Sequence, residues 1–290
     1  MLFRNCLLLA ILITYNTYAQ DDTTNAGELE RPLPIAVSDN IPPEHMYHVN
    51  NAVDMPIVLA LGGTAIYALT IIYSKKNTPE SVILNLNKND VPSYDRWTAG
   101  WHDDNLDKIS YYPFYGVMPL PLILLADKQI AQDKGRIGLM YLEAFAFEGI
   151  LYTGSVYFAD RFRPDVYDTN LPLSYRTNGN FRNSFFAGHV AVMALTTLFI
   201  SKVYDDYHPY SNVKWVLYGS SAALTLGMAY LRLAAGKHFT SDILVGMAVG
   251  TACGLGVPII HKNRDYKKQR WSLSPDIFDR GVGFSFNYRL

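Results

Sequence analysis

The chain has 290 residues, 49% of them apolar, and a formal net charge of -1. That length leaves room for a sizeable core in one large or two small domains. The near-neutral balance excludes the basic excess of a nucleic-acid binder and the acidic run of a disordered tail, so no nucleic-acid partner is expected.

The N-terminus, MLFRNCLLLAILITYNTYAQ, carries Arg4, an apolar run from Cys6 to Ile13 and then Thr17-Tyr18-Ala19, the pattern of a secretory signal over residues 1–19. Cys6 comes too early for lipid attachment, and cleavage would leave Cys253 alone, so no intrachain disulfide is expected. The alternative is an uncleaved anchor, although so short a run spans a bilayer poorly. Residues 20–52 are polar and proline-rich.

Six apolar segments follow within a domain expected over residues 53–262: Met55–Tyr73, Pro113–Ala126, Ile137–Ala159, Val190–Val203, Val213–Leu231 and Ile243–Ile260. At roughly 14 to 23 residues they suit bilayer-crossing helices or a large bundle. The predicted fold class is all-α, a bundle of about six helices embedded in a membrane. Glu143 and Glu148 sit inside the third segment, so they face the bundle interior or that helix is not bathed in lipid. Residues 75–110 are polar, carry two tryptophans and contain no spanning helix. Residues 263–290 form a basic tail ending in VGFSFNYRL, whose alternation reads as a short edge strand or a frayed tail, since nothing upstream supplies the other strands of a barrel.

Charged residues gather at the helix ends. The third segment ends in ADRFRPD, with Arg161, Arg163 and Pro164; alone, such residues are ordinary caps of a helix C-terminus. The fourth starts at SFFAGH, where the Gly188 step exposes free N–H groups suited to an anion, with His189 beside them. A single histidine there is most often a hydrogen-bonded core residue. The fifth ends in RLAAGKHFTSD, with Arg232, Lys237, His238 and Asp242. Asp242, in the first turn of the sixth helix, is expected to reach back to His238, fix its tautomer and leave the other ring nitrogen free as base or nucleophile.

If successive helices run antiparallel, these three clusters fall on one face of the bundle. Arg163, His189, Arg232, His238 and Asp242 then converge. Two arginines suit phosphate oxygens, and two histidines suit attack and leaving-group protonation. The residues point to phosphoryl chemistry without a metal or other cofactor. HMYH (His45, His48) and WHDD (His102, Asp103, Asp104) lack a complete ligand set and read as loop residues.

These motifs resemble the type 2 phosphatidic acid phosphatase superfamily, whose helical fold is shared with class A acid phosphatases and vanadium haloperoxidases. The family pattern is a lysine, six residues and Arg-Pro; then Pro-Ser-Gly-His; then Ser-Arg, five residues, His, three residues and Asp. This chain supplies Arg163-Pro164, Gly188-His189, and Arg232, His238 and Asp242. The resemblance implies His238 as the nucleophile that forms a phosphohistidine, Asp242 as its orienter and His189 as the general acid. Arg163, Arg232 and the N–H groups around Gly188 would hold the phosphate.

Departures from the pattern are Val156 for the lysine, Phe186 and Ala187 for the proline and serine, and Leu231 for the serine before Arg232. Arg161, Arg182 or Lys237 are candidates to replace the lost charge. Two readings stand, an active hydrolase with an altered phosphate cradle and a pseudo-phosphatase with a binding role; a vanadium haloperoxidase is a third.

Basic residues in HKNRDYKKQR after the sixth helix suggest a cytoplasmic end there and a periplasm-facing site in a bacterial inner membrane. A cleaved signal followed by six crossings gives the opposite side. Either the segment interrupted by Pro56, Gly62 and Gly63 does not fully cross, or the bundle is a secreted soluble periplasmic domain. A membrane site implies a lipid phosphate substrate; a soluble one implies a small phosphomonoester.

Overall fold

A computed structural model describes residues 45–263 and the backbone of 271–278 and 281–288. The expected signal, Cys6 and most of the polar N-terminal segment lie outside the described residues. Six long helices form the described body: α1 (Asn51–Tyr73), α2 (Asp104–Val117), α3 (Lys134–Ala159), α4 (Gly188–Tyr207), α5 (Val213–Ala234) and α6 (Thr240–His261).

Capping sets where these helices begin. The Asn50 side chain accepts from Ala52 N and opens α1. Asp103 Oδ1 accepts from Asn105 N and Leu106 N and opens α2. The sequence reading placed this second helix over Pro113–Ala126; the α-helix instead starts at Asp104 and stops at Val117, followed by a 3₁₀ turn over Leu120–Ala126. Asp103 supplies the earlier start, and Pro119 and Pro121, which lack N–H donors, end the α ladder.

The tightest helix pair is α4 with α6. A Cβ on Gly246, Gly250 or Gly254 would come within 2.6, 2.2 or 2.4 Å of the backbone oxygen of Ala187, Ala191 or Leu195. One glycine per turn lets the two backbones touch, and this contact sets the entry to α4 directly against the start of α6. On the other flank α1 lies along α3, where Gly149 would place a Cβ 3.1 Å from that of Ala65. A core of Met140, Leu195, Phe199, Val203 and Val257 fills the end of the bundle remote from the α4 entry. Val117, Val190, Met193, Met228 and Ile243 pack behind that entry. Each fully buried side chain of this size contributes about 1.5–3 kcal/mol.

Three helical stretches are long and apolar enough to cross a membrane: Asn51–Tyr73, Asp104–Ala126 and Thr240–His261. Of the six segments that suited either a crossing or a bundle helix, those of α3, α4 and α5 do not qualify as crossings among the described residues. Glu143 and Glu148 on α3 are both buried within the bundle. The C-terminal strand is present and has a partner that the sequence reading missed: Trp271–Phe278 pairs antiparallel with Gly281–Tyr288, Trp271 opposite Tyr288 and Phe278 opposite Gly281.

Candidate active site

The turn between α5 and α6 reaches its shape through Gly236. This residue has φ +68°, and a Cβ there would lie 1.8 Å from the Trp101 carbonyl oxygen, so only glycine fits. The Gly236 carbonyl accepts from Asp165 N, tying the turn to the loop after α3. That loop returns to the α4 entry through Arg163 N to Phe181 O and Ser184 N to Arg161 O. The entry is in turn fixed to α6 by Ala187 N donating to Asp242 O. The three motif segments are thereby laced together by backbone hydrogen bonds.

His238 is 2% exposed, and its Nδ1 lies 2.6 Å from the Ser184 carbonyl oxygen. A carbonyl can only accept, so Nδ1 carries the proton and Nε2 keeps its lone pair. Burial first, then the positive fields of Arg232 and Arg163, hold the His238 pKa well below the ordinary imidazole value. His238 is therefore neutral at pH 7, the state a nucleophile requires.

His189 occupies the second position of α4, stacked on Phe114 with ring centroids 4.0 Å apart and met edge-on by Tyr111 at 5.0 Å. Burial and the same two arginines push its pKa down as well. Arg232, 1% exposed, donates from one terminal nitrogen to Asp107 Oδ1 at 2.6 Å and Ser110 Oγ at 2.8 Å. The Arg163 guanidinium sits 5.9 Å over the Phe181 ring.

Nε of Arg163, Nε of Arg232 and Nε2 of His189 are all buried without a hydrogen-bond partner. An unmet buried donor costs about 1–3 kcal/mol, more when charged. Two such donors and the unpartnered His189 nitrogen near one neutral histidine can receive an oxyanion, with Gly188 opening α4 beside them.

Four expectations require correction. Asp242 does not contact His238 in the structure. Its Oδ2 accepts from Ser184 Oγ at 2.6 Å and Phe239 N at 2.8 Å, and its Oδ1 from Arg161 at 2.5 Å. The carboxylate thus steadies the Ser184 segment that holds the imidazole, at one remove.

Arg161 is no substitute phosphate ligand, because its guanidinium is shared between Asp242, Ser241 and the fully buried Asp95, and lies 4.4 Å over the Phe239 ring. Lys237 likewise turns to Asp165 at 2.9 Å and to the Tyr175 hydroxyl at 3.0 Å. Burial alone would depress the Lys237 pKa, but these partners and Asp107 raise it, keeping a charged lysine matched to carboxylates. Arg182 pairs with Asp160. In each case the nearer carboxylate claims the cation.

Val156 and Ala187 are buried, at 1% and 0% exposure, and offer no side-chain donor. Lys75 reaches the Val156 carbonyl at 3.2 Å, but its charge is paired with Asp160. A cavity of about 240 Å³ opens beside Arg161, between Asp90, Tyr167 and Phe239, and its lining includes none of Arg163, His189, Arg232 or His238. His45 pairs with Asp133 and His102 with Asp104, so HMYH and WHDD are not gathered into one ligand set.

Sequence reasoning missed Ser184, Asp95, Asp107, Ser110, Tyr111 and Phe114. The polar character of residues 75–110 was the one available signal, and it could not say which groups turn inward.

A helical bundle with an oxyanion socket built from two arginines and two histidines defines the class. The model of the PAP2 superfamily matches residues 137–266, and over that segment the chain is similar to this superfamily. That likeness supports phosphatase-type activity in general. The matched segment holds Arg163, His189, Arg232, His238 and Asp242, whereas Asp95, Asp107, Ser110, Tyr111 and Phe114 precede it. No curated protein and no solved structure matches the chain.

Proposed function

We propose that the protein is a metal-independent phosphoric ester hydrolase acting on the phosphomonoester or diphosphate of a membrane lipid. The observation that carries this reading is the set of three buried, unpartnered nitrogens on Arg163, Arg232 and His189 near the neutral His238.

In the reaction, His238 Nε2 attacks phosphorus and the bond to the leaving oxygen breaks, while protonated His189 gives that oxygen its proton. The phosphohistidine carries its extra positive charge on an imidazole whose Nδ1–H points at the Ser184 carbonyl. A water then attacks phosphorus, giving its proton back to His189, and His238 leaves as neutral imidazole. Arg163 and Arg232 hold the equatorial oxygens throughout, where fixed donors count most. An arriving phosphate adds negative charge beside both imidazoles, which lifts His189 toward the protonated state its role requires.

The lipid reading is supported by α2. This helix belongs to a stretch apolar enough to span a membrane and also carries Phe114 and Tyr111 against His189, so the leaving-group side of the socket borders an apolar surface. Tyr112 and Tyr115 on the same helix are exposed. The basic stretch after α6 and the location of the socket at the opposite end of that helix support a periplasm-facing site. Release of the protein into the soluble fraction on carbonate washing would favour a secreted form and small phosphomonoesters instead.

The buried, donor-free Val156 and Ala187 favour a second reading, a binding protein with little turnover. Phosphate release from a panel of lipid and soluble phosphates decides, using the natural protein, His238→Ala and Val156→Lys. Release above the His238→Ala background is expected for the natural protein. If neither the natural protein nor Val156→Lys exceeds that background, the hydrolase reading fails.

A further inference from the structure

At the other end of the bundle, Asp54 from the first turn of α1, Glu143 from α3 and His261 from the last turn of α6 converge. One donor atom from each lies within 4.8 Å of the other two. Their side chains are only 11%, 9% and 10% exposed.

The imidazole stands between two acceptors. Nδ1 lies 2.8 Å from the His48 carbonyl oxygen, and Nε2 lies 2.8 Å from Glu143 Oε2. A neutral imidazole has one proton, and if His48 O takes it the Nε2 lone pair faces a carboxylate lone pair. Some cation must sit between them, either a second proton on the ring or a metal.

Charge favours the metal. Among the described residues the one cationic partner of Asp54 and Glu143 is His261 itself, since Lys262 is paired with Asp206 and Arg136 with Asp133. An imidazolium offsets one of two buried carboxylates, whereas a divalent ion offsets both. A backbone carbonyl on Nδ1–H is also the usual way in which a metal-binding histidine is oriented.

We propose that Asp54, Glu143 and His261 form a structural site for a divalent cation of the zinc class, separate from the phosphate socket. An imidazole with two carboxylates suits zinc better than magnesium or calcium, which prefer all-oxygen shells. Fourfold coordination leaves one position for water. The ion fastens the start of α1, the middle of α3 and the end of α6 to the Met46–Asn50 segment. By helix rise it lies roughly 30 Å from His238, so it takes no part in phosphoryl transfer.

The test uses the full-length protein, stripped with a chelator and titrated with Zn²⁺, Mg²⁺ or Ca²⁺ alone. The expected result is one Zn²⁺ per chain, a raised thermal midpoint, and a zinc X-ray absorption spectrum with nitrogen and oxygen neighbours at about 2.0–2.2 Å and no sulfur. Glu143→Gln and His261→Gln, which keep side-chain volume close to the original, should each weaken zinc binding at least about a hundredfold, the upper end of what even an outer-shell change costs. Asp54→Asn provides a third variant if either of these fails to fold.

Failure to bind zinc stoichiometrically would show that a proton bridges the pair and would overturn the proposal. Sulfur in the spectrum, or zinc binding unchanged in all folded variants, would do the same. Phosphate release should be equal with and without zinc. A metal-dependent release that survives His261→Gln would put the metal elsewhere and likewise overturn it.

Discussion

The two ends of the bundle treat buried polar groups in opposite ways. Remote from His238, two buried carboxylates are closed by donors of the protein. Asp206 accepts from Tyr47, Lys202 and Lys262, and Asp133 accepts from Tyr207, Met46 N and Arg136. Around His238, donors on Arg163, Arg232 and His189 are left open. Closed networks lower the free energy of the fold, whereas open donors raise it, by about 1–3 kcal/mol each. The protein closes Asp206 and Asp133 with its own donors and leaves the groups around His238 for a ligand to complete.

The largest expected effect that tests this contrast is at the nucleophile. His238→Ala should lower phosphate release by about a thousandfold or more, to the background of the preparation. Next comes Arg163→Ala, which removes one oxyanion donor and should lower kcat by about a hundred- to a thousandfold. Both are measured by steady-state phosphate release. Arg163→Ala should leave urea unfolding near that of the natural protein, because its Nε is unpartnered. His238→Ala, by contrast, also strands the Ser184 carbonyl and should cost about 1–3 kcal/mol.

The closed end should respond in the reverse sense. Asp206→Ala strands the buried Tyr47 hydroxyl and two lysines, and should cost about 1–3 kcal/mol in urea unfolding with kcat unchanged in the folded protein. A large fall in kcat with no change in stability would erase the contrast. Gly250→Ala, which drives a methyl against the Ala191 carbonyl, should destabilise by about 1–3 kcal/mol by parting α4 from α6, and should raise KM as the socket widens.

The smallest effect concerns pH. His238 has a lowered pKa in the folded state, so between that value and about 6.5 the unfolded chain holds more protons than the folded one. The stability linked to His238 is therefore complete above about pH 6.5 and is lost as pH falls through that window. The acid limb of kcat/KM should also lie below the pKa of a free imidazole. A limb at or above about 6.5 that shifts in a Ser184 variant would assign the titration elsewhere.

Much of this end was legible because its residues stand at fixed short offsets. Arg232, His238 and Asp242 share one turn between two helices, and Gly188-His189 opens a third, so local geometry alone brings each group to a helix end. The cradle candidates Arg161 and Lys237 were misassigned because a cation takes the closest carboxylate, and Asp95 and Asp165 become close only after folding. The strand Trp271–Phe278 escaped notice because Pro275 lies within it, and proline argues against a paired strand.

The sequence by itself determined five of the six long helices, through apolar runs bounded by caps and prolines, and the family that the site resembles, through residue types at fixed spacing. Only the tertiary structure decided the partners. It gave His238 the Ser184 carbonyl instead of Asp242, handed Arg232 to Asp107 and Ser110, and brought Asp54, Glu143 and His261 from three helices to one point. Spacing along one chain segment survives folding unchanged, whereas contact between segments depends on which donors and acceptors the packed helices bring within about 3 Å of one another.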